Sequence, residues 1–188
     1  GLAYGLLGLP LAFVALPLYV LLPNHYANAF GMPLATLGAV LLGARLFDAA
    51  IDPLLGQWCD RLFARSLRSI LAVGAASAVV LALGLAGLFF PGFTGPQALV
   101  LWALVFLLVT TTAFSQLAIA HQAWGARLGG GELQRGRIVA WREGCGLAGV
   151  VLASVLPGLF GLPVMLAVLS LRWRWAGWPG RARRARMR

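Results

Sequence analysis

Three ionisable side chains stand inside an otherwise apolar run: Arg45, Asp48 and Asp52, in the segment Arg45-Leu-Phe-Asp48-Ala-Ala-Ile-Asp52-Pro53-Leu-Leu-Gly56. The run extends from Met32 to Trp58. On a helix, at about 100° per residue, positions 45, 48 and 52 fall within one narrow arc. Arg45 lies one turn before Asp48, Asp52 one turn after it, and the stack carries a formal charge of −1. In a membrane span, a charge near the bilayer centre costs at least ~2.5–3.5 kcal/mol, so such residues face a bundle interior or a watery cavity. Two arrangements meet that demand. In one, the acids pair internally with Arg45, one arginine against two aspartates, which leaves one acid unbalanced unless Arg142 from a later span joins them. In the other, an acid is protonated or holds a cation, and exchange between those states makes a sodium- or proton-coupled site.

Other chemistry is sparse. Two histidines, two distant cysteines and five acids form no nucleophile–base pair and no metal cluster. We therefore expect no enzyme and no resident cofactor, and no metal beyond Na+ at Asp48 and Asp52. Cys59 and Cys145 each fall near an expected cytoplasmic edge, where a disulfide is not expected. The Gly129-Gly-Gly131 run has no following Lys-Ser/Thr and no preceding strand, so it reads as a flexible link rather than a phosphate loop.

The elements that position these residues are membrane spans. The 188-residue chain is 61% hydrophobic and 11% charged, where a soluble domain would be about a quarter charged. Its mean hydropathy is +0.87. The net charge of +10 comes from 15 arginines against five acids. In a soluble protein a pI near 11.6 would suggest nucleic acid. Here the arginines lie between and after apolar runs, as in cytoplasmic loops. The fold class is all-α, with five transmembrane helices and an incomplete sixth. Spans are expected at about 1–22, 33–56, 70–90, 98–119 and 144–159, joined by loops at 23–32, 57–69, 91–97 and 120–143. Tyr4 and Tyr19 read as interfacial anchors of the first span. Gly74, Gly84 and Gly87 suit close helix packing in the third. Thr110, Thr111, Thr112, Ser115 and Gln116 read as interhelical hydrogen-bonders or as a substrate-facing wall. Loops 57–69 and 120–143 are basic and the other two uncharged, which places the N-terminus in the cytoplasm.

The apolar stretch 161–171 is too short to cross alone, and an Arg/Trp-rich tail follows from Arg172. That tail reads as an anionic-lipid patch or as an out-of-frame sequence with incidental basic character. Without an initiator Met, and opening almost inside a span, the chain is expected to be incomplete at its start.

The double-aspartate segment resembles the second-span signature of the glycoside–pentoside–hexuronide:cation symporters, the melibiose-permease-like branch of the major facilitator superfamily. That resemblance implies a coupling cation, sodium or proton, at Asp48 and Asp52. Gly56-x-x-x-Asp60-Arg61-x-x-x-Arg65 is similar to the superfamily motif between spans two and three, implying that these residues brace an inner gate. Ala123-Trp124-Gly125-Ala126 and Arg137-Ile-Val-Ala-Trp141-Arg142-Glu143-Gly144 resemble the family's connection between spans four and five. There the resemblance implies that Arg142, with Trp124, lies close to the sugar and cation sites.

The resemblance covers about Tyr4 to Pro157. It differs from the melibiose permease branch at two acids: the neighbourhood where span one would carry one reads Pro10-Leu-Ala12-Phe13, without an acid, and Ala120 stands four residues before Trp124 where the branch has an aspartate. His121 and Gln122 are the polar groups nearby. Family members have about twelve spans in two halves with the pathway between them. The expectation is therefore an N-terminal half over 1–160, with residues 161–188 a truncated segment left by a frameshift, fragment boundary or gene decay. The implied function is a fragment of a cation-coupled transporter for sugars or related solutes, working by alternating access and inactive without its C-terminal half. It sits among the lipids of a bacterial inner membrane and has no nucleic-acid partner. The alternatives are a small membrane interaction protein or a non-functional decay product.

Overall fold

The computed structural model describes residues 2–92, 95–127 and 131–175, with side chains at 4, 8–92, 95–127 and 131–155. The described elements are helices. α1 (Leu2–Leu16) passes through a π-helical turn (Pro17–Leu21) into α2 (Leu22–Phe30). α3 covers Leu34–Arg65, α4 Leu67–Phe89, α5 Pro96–Arg127 and α6 Glu132–Trp175. Five helical segments are long and apolar enough to cross a membrane, so the protein is an all-α integral membrane protein. The apolar stretch 161–171 continues α6 without a break. The Arg/Trp-rich tail from 176 onward lies outside the described residues.

The helices outrun the apolar segments. Most of 23–32, 57–69 and 120–143, expected as loops, is helical. Hydropathy marks only the part of a helix that sits in hydrocarbon. Beyond it the intrahelical hydrogen bonds still hold, and a polar surface suits water. With 32 residues, α3 is ~48 Å long at 1.5 Å per residue, well over the ~30 Å hydrocarbon core.

Local chemistry sets the breaks. Pro17 opens the π-helical turn, in which the Leu22 N–H reaches the Pro17 carbonyl. Proline has no N–H to give the preceding turn, and the wider turn absorbs that loss. Gly31 closes α2 at φ 63°, a conformation that costs glycine little. Met32 N–H then returns to the Tyr26 carbonyl at 3.2 Å. Ser66 caps α4, its Oγ accepting from Ser69 N–H at 3.1 Å, which satisfies one of the orphan donors at a helix start.

α4 ends under a roof of aromatic donors. Its last carbonyls have no intrahelical partner. Trp102 Nε1 donates to Gly87 O at 2.8 Å, Tyr26 Oη to Leu88 O at 2.9 Å, and His25 Nε2 to Phe89 O at 3.1 Å. The Phe90 N–H covers Ala86 O at 3.0 Å.

α1 packs along α6, and α5 takes α3 and α4. Small residues let backbones approach. A Cβ at Gly149 would meet the Leu9 carbonyl, and Ala153 beside it is fully buried. Gly84 and Gly87 receive Thr110 and Phe106 of α5, whereas nothing approaches Gly74. The core runs through Phe13, Val14, Leu18, Leu81, Leu85, Leu88 and Leu107. Val79, Leu83, Leu101, Val105, Leu147 and Val151 are exposed on the outside. The formal charges at the helix ends gather at one end of the bundle: Arg61, Arg65, Arg68, Arg127, Arg135 and Arg137, with Asp60 and Glu132. This is the basic end. The opposite end, with Gly31 and Gly92, has no formal charge.

Candidate functional site: an unpaired aspartate pair

α3 and α5 run in the same direction toward the basic end. Asp48 meets Thr111, Phe63 meets Trp124, and Asp60 meets Arg127. That register fixes the surroundings of the aspartates. Asp48 is only 6% exposed and lies beside the Thr111 side chain of α5. Among the described residues, Oδ1 of Asp48 and Oδ1 of Asp52 are buried without a hydrogen-bond partner. On α5, Gln116 is 3% exposed, and both its amide atoms likewise lack a partner among them. The register puts it near the level of Asp52. Pro53 adds one more oxygen: it has no N–H to give the Ala49 carbonyl, which lies on the turn between the two acids.

The internal ion-pair arrangement is not what forms. Neither aspartate has a salt bridge among the described residues. Arg45 turns away, with its guanidinium carbon 3.7 Å from the centroid of the Tyr19 ring. Arg142 is elsewhere, paired with Glu143 at 2.6 Å, its backbone packed near Gly8 and His121. Two carboxylates one turn apart therefore carry no protein cation among the described residues. Chemically, such a pair can take a hard cation or share a proton.

Tyr19 is the residue that sequence reading misplaces. It is half-buried inside the bundle, edge-on to Phe114 at 6.2 Å and under Arg45. The π-helical turn that begins at Pro17 carries it there; Pro17 was the available signal. Tyr4 is likewise no lipid anchor. It is buried and stacked on His121 at 4.3 Å, donating from Oη to His121 O at 3.0 Å. His121 Nε2 donates to Tyr4 O at 3.1 Å. The acceptor is a carbonyl, so Nε2 carries the proton. His121 thus ties α1 to α5. The threonines differ from expectation too. Thr110 bonds the Phe106 carbonyl, and Thr111 and Thr112 that of Leu108, all on their own helix.

The basic end holds a second cluster. Asp60 pairs with Arg127 at 3.0 Å. Arg127 lies 4.1 Å from the Phe63 ring centroid, and Trp124 meets Phe63 edge-on at 6.3 Å. Trp124 thus belongs to this cluster rather than to the aspartates. Arg127 completes it; a span boundary drawn at Ile119 hid its place on α5. Arg61 and Arg65 are exposed and form no ion pair among the described residues. Beside the cluster opens a cavity of about 630 Å³ lined by Tyr4, Gly56, Asp60, Gln122, Arg135 and Arg142, among others.

The chain matches the family model MFS/sugar transport protein over residues 1–178. The chain belongs to this family. The match runs past Pro157 and takes in the first residues of the Arg/Trp-rich segment. Comparison with curated proteins and with solved structures found no match. Membership explains why small-residue helix contacts and buried polar groups coexist in one bundle: family members move solutes across the membrane.

Proposed function

We propose that this chain is one half of a cation-coupled secondary transporter for sugars or related small solutes. Asp48 and Asp52 take the coupling ion, Na+ or H+, with Thr111 and the freed Ala49 carbonyl as oxygen donors. The observation that carries this is the pair of buried carboxylate oxygens with no partner and no protein cation among the described residues. Buried charges are retained when something pairs with them, and a mobile cation is what remains. Binding one and releasing it changes the charge of the bundle interior, which is the means by which an ion gradient drives a conformational cycle. The Asp60–Arg127 pair, braced by Phe63 and Trp124, serves as a latch at the basic end. That end faces the cytoplasm, as the positive-inside rule requires, in a bacterial inner membrane. Alternating access works by rocking one half against another, so a C-terminal half completes the pathway and this chain alone does not transport.

The test is infrared difference spectroscopy on the full chain in lipid nanodiscs, following carboxyl bands as pH and Na+ are varied. Bands that respond to either ion and vanish in Asp48→Asn or Asp52→Asn are expected. Bands indifferent to both ions, or unchanged in both variants, would remove the reading.

A further inference from the structure

Arg45 is a cation whose charge acts on Asp48, yet it forms no ion pair with either aspartate. It shares their arc on α3, one turn from Asp48 and two from Asp52. A long side chain at that spacing reaches an acid at i+3 by rotation alone. Instead it lies flat on Tyr19 at 3.7 Å. The ring is held there from two sides: the π-helical turn sets its backbone, and Phe114 meets it edge-on at 6.2 Å. Arginine over a tyrosine face is attracted by the ring quadrupole, modestly enough to be reversible.

We infer that Tyr19 is a positioning residue that parks Arg45 off Asp48 and Asp52, so that Arg45 acts as an internal stand-in for the coupling cation. This rests on the cation-site reading above. With the ion bound, Arg45 sits on the ring. When the ion leaves, the guanidinium swings onto a carboxylate, which accepts it through charge-assisted hydrogen bonds, and the interior never holds two bare acids. Tyr19 sets the balance between the two positions, and so the concentration of ion needed to displace Arg45.

Other groups do not compete for this role. The charges acting on Asp48 are Asp52 and Arg45. On α5, His121 is engaged with Tyr4 and Arg127 with Asp60. On α2, His25 is engaged with Phe89. α4 carries Arg68 alone, at the basic end, and α1 adds Tyr4, at His121.

The experiment follows the protonation midpoint of the Asp48/Asp52 carboxyl band of the full chain, without added Na+. Tyr19→Phe keeps the ring face and should leave the midpoint in place. Tyr19→Leu releases Arg45 onto the acids, and an adjacent arginine favours the carboxylate, so the midpoint should fall by ~1 pH unit or more. Adding Arg45→Gln to Tyr19→Leu should restore it. A merely structural role for Tyr19 would not be reversed by removing Arg45. Tyr19→Met carries the same prediction if the leucine variant does not fold. An unchanged midpoint in Tyr19→Leu, or a fall that persists without Arg45, overturns the inference. Failure of the cation reading looks different: the wild-type band itself ignores pH and Na+.

Discussion

Gln116 is a buried amide whose two polar atoms find no partner among the described residues. Such a group costs its full desolvation. We expect Gln116→Leu to raise the thermal stability of the detergent-solubilised chain by about 1 kcal/mol. A fall on thermal melting would reveal a hydrogen bond that Gln116 makes. The same logic separates what the sequence shows at this scale from what it does not. Asp48 and Asp52 are visible because a charge in an apolar run has few explanations. The partner of Arg45 is not visible. Its choice of Tyr19 over an acid depends on the π-helical turn, whose only mark in the sequence is Pro17. Arg127 is hidden for another reason: a salt bridge to Asp60 requires two helices to extend past the hydrocarbon, and hydropathy is silent there.

Elements in this protein are held by backbone approach rather than by large interlocking side chains. Where lipid replaces water, helix association depends on packing and hydrogen bonds, so a single methyl group at a close contact matters. Gly149→Ala places a Cβ against the Leu9 carbonyl and should cost ~1–3 kcal/mol by forcing α1 from α6. Gly74→Ala meets nothing within reach and should gain up to ~1 kcal/mol in helix propensity. Thermal melts of the two variants test the pair, and equal effects would contradict the packing described. The aromatic roof over α4 gives a third case. Tyr26→Phe removes one donor to Leu88 O and should cost ~0.5–1.5 kcal/mol, read from the same melts. The number and order of long helices are legible in hydropathy; their ends are not. Helix ends follow hydrogen bonding and capping, as at Gly31 and Ser66. The choice of Gly84 and Gly87 over Gly74 as contact points follows from which face meets α5.

At the scale of the whole molecule, charge asymmetry predicts the sidedness. Asn28 and Ser66 are both exposed, at opposite ends of the bundle. In a background carrying Cys59→Ala and Cys145→Ser, Asn28→Cys should react with an impermeant maleimide in intact cells, and Ser66→Cys only after lysis. The reverse pattern would invert the bundle and put the Asp60–Arg127 latch outside.

Whether Asp48 and Asp52 hold an exchangeable cation decides the function proposed for this chain. The most direct measurement counts protons taken up by the purified full chain as pH is lowered, with and without Na+, against a variant carrying both Asp48→Asn and Asp52→Asn. A sodium site predicts proton uptake that Na+ suppresses; a proton site predicts uptake that Na+ leaves alone; in either case the double variant loses it. Identical uptake by the wild type and the double variant would contradict the account, because the two acids would then carry neither ion.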